Sequence, residues 1–494
     1  MDKELRRGQA WLIVLALFAI SVLLRLPNLN RPLSKHHEFN TAVILANIDS
    51  WRQAGGGARF HYVPLLNYQN PGDRSTRHLA NEDAQGNTLY LSFGPGWYVI
   101  PYFFYQLFGL PVQPVWLQII NLFFELAAVL LFFVLCGQLI ADGRPGKYRT
   151  IVLASCLFMF SPGILWYLGN GYVNTGIMMP LVIGLIVLLI PMIQSPERIR
   201  LPRLLLLSLL IIVLVYIDWF VLFFSAVTGC WLLFRVRKEK KYWILFFTMA
   251  LACLAGIAVI FFQFASYVGA ENVGLSWQNR LAERSLTHRG ESPSYMMLII
   301  LRHIVTCYFP AVALLGWSLV RLGSGIRGLA FSKLEQRILG AYAGAVVLYN
   351  LVLMDWSYEH EFALIPLSIL LSILGARLAM AWVGRRSFYP VAGAFLLMAV
   401  LQYYLINRPG KVSRDGTPFD AYQRLGQGVR TIPNDYTLFM DDQWSAAVDF
   451  YAHRNIIMTK NIDSARAYVQ RWGVPKAAWI QHDHYRFEKA VIIR

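Results

Sequence analysis

Residues Glu197–Lys241 read ERIRLPRLLLLSLLIIVLVYIDWFVLFFSAVTGCWLLFRVRKEKK. Two apolar runs, 203–217 and 220–234, are separated only by Asp218 and Trp219. Arg198 and Arg200 stand before the first run, Arg203 opens it, and Arg235, Arg237, Lys238, Lys240 and Lys241 follow the second. Uncharged apolar runs of this kind are read as membrane spans, the 15-residue first one crossing a locally thin region or joined tightly to its neighbour. Short basic loops mark the cytoplasmic side. The pair is therefore expected to form a helical hairpin that turns at Asp218 on the outside.

The same reading extends in both directions. Of the 494 residues, 56% are hydrophobic and only 15% charged, where soluble domains carry about 25% charged residues. A water-soluble fold could not hide that much apolar surface, so lipid is part of the solvent. Further spans are expected near 10–26, 115–140, 150–168, 176–194, 243–267, 296–320, 338–354, 362–383 and 388–406, which makes about eleven. Lys3, Arg6, Arg7, Arg144, Lys147, Arg149, Arg321, Arg327, Lys333, Arg337, Arg385 and Arg386 fall in the loops on one side. The short opposite loops, 162–175, 218–219 and 355–361, hold no Lys or Arg. This asymmetry puts the amino end inside and the carboxyl end outside, and it accounts for the net charge of +17 without nucleic acid. The 10–26 run lacks a small-residue cleavage site after Arg25 and reads as an uncleaved first span.

The segment 96–109, GWYVIPYFFYQLFG, tests this scheme. If it crossed the membrane, every later basic loop would lie outside. It is therefore expected to be a juxtamembrane helix lying in the interface, where Trp and Tyr are favoured. Residues 27–95 and 268–295 become long outer loops. The fold class expected for 1–406 is an all-α polytopic membrane bundle, N-in and C-out. From 407 to 494 hydropathy falls, and strand-like runs at 436–440, 455–458 and 476–480 alternate with helical runs at 445–453 and 463–472. That βαβαβ pattern predicts a small extracytoplasmic α/β domain. The five cysteines, Cys136, Cys156, Cys230, Cys253 and Cys307, sit in apolar stretches without zinc-ligand spacing and read as small buried hydrophobes.

Polar groups at membrane depth are costly, so a set that shares one side is a functional hypothesis. Four groups do so under this topology. Ser34–Asn40 contains His36, His37 and Glu38, a carboxylate able to act as a base beside imidazoles able to tune it or hold a divalent metal ion. Tyr167–Thr175 carries Asn170 and Asn174, which can hydrogen-bond a sugar or simply line a loop. Asp218 either caps the next helix or faces a ligand. Asp355–Glu361 brings Glu359, His360 and Glu361 to a helix entrance. Arg302 and His303 lie near the outer end of their span, where a cation meets a lipid phosphate or snorkels to the interface. Glu125 falls near mid-span and must be paired or protonated.

The order of these parts resembles the GT-C superfamily of polytopic membrane glycosyltransferases, within it the protein O-mannosyltransferase and aminoarabinose-transferase-like group. The resemblance rests on a first span, then His37-Glu38-Phe39-Asn40-Thr41-Ala42, then Phe93-Gly94-Pro95-Gly96-Trp97-Tyr98, then Asp218-Trp219, the Glu361–Pro366 helix start and a terminal α/β domain. It implies a polyprenyl-phosphate-linked sugar donor, a protein, lipid or glycan acceptor, and an active site on the periplasmic face of a bacterial inner membrane. It implies inverting transfer with Glu38 as general base and His37 as its tuner. Asp218, Asn170, Asn174, Glu359, His360 and Glu361 would then contact sugar or acceptor, with Arg302 and His303 at the phosphate. The chain departs from the family where His37 replaces the first of two adjacent acids and Trp116-Leu117-Gln118 stands where relatives carry an arginine. Two other readings use the same parts: a transporter or flippase of lipid-linked glycans, and a ligase or polymerase using a diphosphate-linked donor.

Overall fold

The computed structural model describes residues 5–33, 38–77, 79–142, 144, 146–236, 239–284, 291–323, 331–383, 387–407 and 416–493. In chain order the elements are α1 (Arg7–Arg25), α2 (Phe39–Gln53), α3 (Gly96–Leu107), α4 (Pro114–Leu139), α5 (Lys147–Phe160), α6 (Pro162–Tyr167), α7 (Asn174–Gln194), α8 (Leu201–Ile217), α9 (Phe220–Val236) and α10 (Lys241–Val268). Then come α11 (Ala270–Arg284), α12 (Pro293–Leu322), α13 (Lys333–Val352), α14 (Met354–Glu359), α15 (Leu367–Trp382), α16 (Phe388–Asn407) and α17 (Ala421–Val429). The chain closes with β1 (Thr437–Met440), α18 (Ala446–Ala452), β2 (Ile456–Met458), α19 (Ile462–Trp472), β3 (Ala477–Asp483) and β4 (Arg486–Ile493).

Each apolar run read from hydropathy coincides with a helix, and 150–168 divides into α5 and α6 at Ser161-Pro162. Six helices among the described residues are long and apolar enough to cross a bilayer, and three shorter apolar helices, 201–217, 220–235 and 367–382, accompany them. Their outward faces carry large exposed side chains, among them Leu205, Leu209, Phe247, Leu251, Phe262 and Leu401. Such a surface is covered by lipid, and the chain is a multi-pass membrane protein. The segment 96–109 is one 12-residue helix, α3, as its composition requires. Two stretches read as loops are partly helical: α2 follows Glu38, and α11 occupies 270–284. Both are too polar on average to register as apolar runs.

The chain forms two compact units. One gathers Met1–Leu26, Asn121–Ala258 and Ala282–Ile406, the other Pro27–Ile120, Val259–Leu281 and Asn407–Arg494. In the first, α12 packs on α15, α13 on α9, α7 on α8, and α5 on both α1 and α15. Arg25 and Glu125, each with a fully buried side chain, pair with one another there. Arg25 is further held by Ser21, whose carbonyl accepts from Nε at 2.9 Å and whose hydroxyl accepts from the guanidinium at 2.8 Å. A Cβ on Gly169 would stand 2.3 Å from the Arg25 side chain, so only glycine lets the arginine pass there. Pro310 breaks α12, where Tyr308 leaves helical geometry (φ −134°, ψ 17°). The missing N–H frees the carbonyl four residues back, and the Gln402 amide donates to Thr306 O at 2.9 Å and Val305 O at 3.2 Å.

In the second unit α2 packs on α18 and α3, and α17 on α18. The sheet order is β2-β1-β3-β4, with β1 parallel to both neighbours and β4 antiparallel to β3. Three of these strands match the expected βαβαβ pattern. The fourth and α17 were not foreseen, because β4 (RFEKAVII) mixes charge into its alternation. Arg454 is buried against Asp73 at 3.2 Å and donates to the carbonyls of Ile432 and Pro433, each at 3.1 Å. It thereby fastens the 71–73 turn to the sheet.

Removing one partner of a buried ion pair costs roughly 3–5 kcal/mol, while apolar replacement of both is often nearly neutral. Arg25→Leu and Glu125→Leu alone are each expected to destabilise the detergent-solubilised protein by about that amount, and the double variant to recover most of it. Thermal unfolding of the three variants checks this.

Candidate active site

The polar residues singled out in the sequence fall in both units. In the first unit they group into three arrangements. The tight turn after α8 places Asp218, fully buried, at the amino end of α9. Its Oδ1 accepts from Phe220 N at 2.7 Å, satisfying one of the open donors of that helix. Its Oδ2 accepts from the Asn174 amide, at the first residue of α7. One carboxylate thus both caps α9 and holds the start of α7. Burial pushes the Asp218 carboxyl up to about 7, opposed by the Phe220 N–H.

Glu361 anchors the second arrangement. Its Oε2 accepts from Tyr167 OH at 3.2 Å and Cys307 Sγ at 3.6 Å, and its Oε1 lies 3.3 Å from His303 Nδ1. The other imidazole nitrogen lies 2.9 Å from the Tyr358 carbonyl. Both ring nitrogens therefore face oxygen atoms, one of a carboxylate and one of a backbone carbonyl. A Cβ on Gly163 would lie 2.8 Å from Cys307 Cβ, so glycine is what lets α6 approach α12 this closely. Arg302 is exposed and holds no partner among the described residues, leaving its fork available for an anion. In the third arrangement His360 sits between the Trp356 and Phe362 rings, with centroids at 4.1 and 4.9 Å, and its Nε2 is 3.8 Å from Glu359. Asn170 donates to Tyr403 OH at 3.2 Å. The amide oxygens of Asn170 and Asn174 are buried without hydrogen-bond partners among the described residues, a state that buried acceptors rarely keep unless water or a ligand supplies the donor.

In the second unit Glu38 stands immediately before α2 with a fully buried side chain. Arg31 donates to its Oε2 at 2.9 Å, to Pro32 O at 2.8 Å and to Asn28 Oδ1 at 3.1 Å. The guanidinium also lies 4.0 Å from the centre of the Phe419 ring. Gln118, at the position where an arginine was looked for, instead braces this loop: its Nε2 donates to Asn28 O at 3.1 Å and its Oε1 accepts from Asn30 N at 3.0 Å. Tyr451 OH accepts from Leu33 N at 2.9 Å. Burial first, then the neighbouring Glu38 charge, push that phenol up to about 12. His36 and His37 lie outside the described residues, as does any metal site they would build. Among the described residues no group of three or more His, Cys, Asp or Glu side chains is placed to hold a metal.

The sequence pointed to Glu38 but not to Arg31, Tyr451 or Arg25. Arg31-Pro32 reads as an ordinary loop pair, and Tyr451 is more than 400 positions from Glu38, so neither carried a local signal. Arg25 could have been found by asking which cation meets Glu125.

No family model matches the sequence, and no curated protein matches it. Solved structures do. The chain is similar to ArnT from Cupriavidus metallidurans in the apo state, with 10% identity, 98% of this chain and 97% of that chain covered and a TM-score of 0.61. It is similar to the same protein bound to undecaprenyl phosphate, with 11% identity, the same coverage and a TM-score of 0.59. It is also similar to the archaeal oligosaccharyltransferase AglB from Archaeoglobus fulgidus in complex with an inhibitory peptide and a dolichol-phosphate, with 13% identity, 95% of this chain and 69% of that chain covered and a TM-score of 0.56. The chain has the GT-C fold. The resemblance drawn from Glu38, Asp218 and the terminal α/β domain is thus matched at the level of architecture across nearly the whole GT-C chain of ArnT.

The folded-state value of Asp218 lies above its ordinary 3.8. Unfolding therefore releases a proton between these values, and this group's contribution to stability is present at low pH and lost as pH rises through about 7. Asp218→Asn is expected to flatten that part of the profile. Thermal stability of both proteins between pH 5 and 8, at roughly half-unit steps, checks this.

Proposed function

We propose that this GT-C protein is a glycosyltransferase that moves a sugar from a polyprenyl-phosphate donor to an acceptor on the outer face of the membrane, with inversion. The observation that carries the reading is the pairing of the GT-C fold with a buried carboxylate, Glu38, fixed by Arg31 at the start of α2. ArnT with undecaprenyl phosphate and AglB with dolichol-phosphate give the donor class its support.

In this reading Glu38 accepts the acceptor proton as the acceptor oxygen attacks the anomeric carbon. The bond from that carbon to the lipid phosphate breaks through an oxocarbenium-like transition state, and the phosphate leaves as an anion without an acid. Arg31 keeps the Glu38 carboxylate in one orientation, which matters because proton transfer needs the base within hydrogen-bond reach. Arg302, with His303 beside it, meets the developing phosphate charge. Asp218, Asn170, Asn174, Glu359 and His360 contact sugar or acceptor hydroxyls, the two unpartnered amide oxygens being the acceptors best placed to do so. His37 tunes the base, and His36, His37 and Glu38 are where a divalent metal would bind. The charge asymmetry of the loops supports a site on the periplasmic side of a bacterial inner membrane.

A ligase or polymerase that draws on a diphosphate-linked donor would use the same groups. Purified protein supplied with matched monophosphate- and diphosphate-linked sugars separates the two, and turnover of the monophosphate donor is expected. Glu38→Gln, which keeps the volume and one acceptor for Arg31, is expected to lower transfer by about 10²–10⁴-fold, the usual worth of a general base, with unchanged expression. Full turnover in that variant removes Glu38 from the mechanism.

A further inference from the structure

The small sheet has a feature that the transfer reading does not use. Its central strand, β1, is followed by a crossover through α18 to β2 on one side, and the chain then crosses back through α19 to β3 on the other. The strand order around β1 therefore reverses between β1 and β3. In open α/β sheets ligands bind outside the carboxyl ends of the strands at such a reversal. The residues standing there are Asp441, directly after β1, and His482, near the end of β3.

These two are joined. His482 has a side chain 3% exposed, and its Nε2 lies 3.2 Å from Asp441 Oδ1. The same Oδ1 accepts from Gln443 N at 3.0 Å. Asp441 Oδ2 has no partner among the described residues, on a side chain about one-third exposed (32%). His482 Nδ1 and Gln443 Oε1 are likewise buried without hydrogen-bond partners among the described residues. Two buried polar atoms at one strand edge, His482 Nδ1 and Gln443 Oε1, thus lack partners among the described residues, against the usual satisfaction of buried polar groups, and the partly exposed Asp441 carboxylate stands beside them. Aromatic faces flank them. Tyr485 lies parallel to the His482 ring at 6.1 Å, presented by a turn in which His484 and Tyr485 both adopt positive φ (44° and 63°) without glycine. Trp444 lies beside Phe39, the residue after Glu38, with centroids 6.0 Å apart.

We propose that the carboxyl edge of β1 and β3 is a carbohydrate-binding subsite. Acceptor atoms without donors call for a ligand rich in hydroxyls. The three carboxylates Asp441, Asp442 and Asp483 at this edge disfavour an anion. Trp444 and Tyr485 offer rings for the C–H face of a sugar. The subsite is separate from the chemical step: it recognises glycan through Asp441 Oδ2 and Gln443, with His482 holding Asp441 in place, next to the segment that carries Glu38.

The test uses the full chain in lipid nanodiscs, with neutral α-mannotriose, maltotriose and chitotriose as probes in saturation-transfer difference NMR. At least one trisaccharide is expected to show saturation transfer. Asp441→Asn and Gln443→Ala, both mild at partly exposed positions, are expected to weaken binding at least ten-fold, and His482→Gln to do so through loss of Asp441 orientation. Glu38→Gln is expected to keep binding while losing transfer. No saturation of any trisaccharide, or equal binding by wild type and folded Asp441→Asn and Gln443→Ala, overturns the subsite. A Glu38→Gln protein that still transfers sugar overturns the transfer reading instead and leaves the binding result standing.

Discussion

A charge taken out of water must be met by an opposite charge and by hydrogen bonds, and in this protein that constraint decides how distant segments are fastened. Among the described residues, the deeply buried Arg and carboxylate pairs join segments apart in sequence or close a loop. Arg25 and Glu125 tie α1 to α4, Arg377 and Glu335 tie α15 to the start of α13, and Arg454 and Asp73 tie the sheet to the 71–73 turn. Arg31 and Glu38 close the loop before α2. Desolvation makes such pairs poor sources of net stability, but it makes any arrangement that breaks them costly. The pairs therefore select one packing among the many that an apolar bundle allows. The glycines at 163 and 169 serve the same end, since each clears the space through which a neighbouring side chain reaches its place.

This division of labour explains what could be read from the sequence. Apolar runs are local signals, so the apolar helices, α3 among them, follow from hydropathy alone. The alternation after residue 436 likewise exposed three strands. Elements without a strong period escaped: α2 and α11 are polar, and β4 carries charges through its alternation. At the candidate site the same rule held. Glu38, Asp218, Glu361 and His303 were visible because acids and imidazoles are conspicuous beside apolar runs. Their partners were not, because Arg31, Tyr451, Tyr167 and Cys307 become informative only once folding brings them within reach. Asp218 was legible as a helix cap, and its second oxygen proves to hold the Asn174 amide.

The arrangement also sorts the candidate groups by what they remain able to do. Glu361 is engaged by Tyr167, Cys307 and His303, and so reads as the group that positions that imidazole. Arg302 has no such engagement among the described residues and is exposed. The amide oxygens of Asn170 and Asn174 wait for donors.

The proposed function depends on the acids, amides and Arg302 facing one aqueous compartment, which the pattern of basic loops predicts to be the outer one. The direct test is labelling of single cysteines, in a background lacking the native five, by a membrane-impermeant maleimide in intact cells. Positions in the 27–95 loop and in the 407–494 segment are predicted to react, and positions beside Arg144 and Arg198 to react only after the membrane is opened. Equal labelling of the Glu38 loop and the Arg144 loop in intact cells would contradict the account.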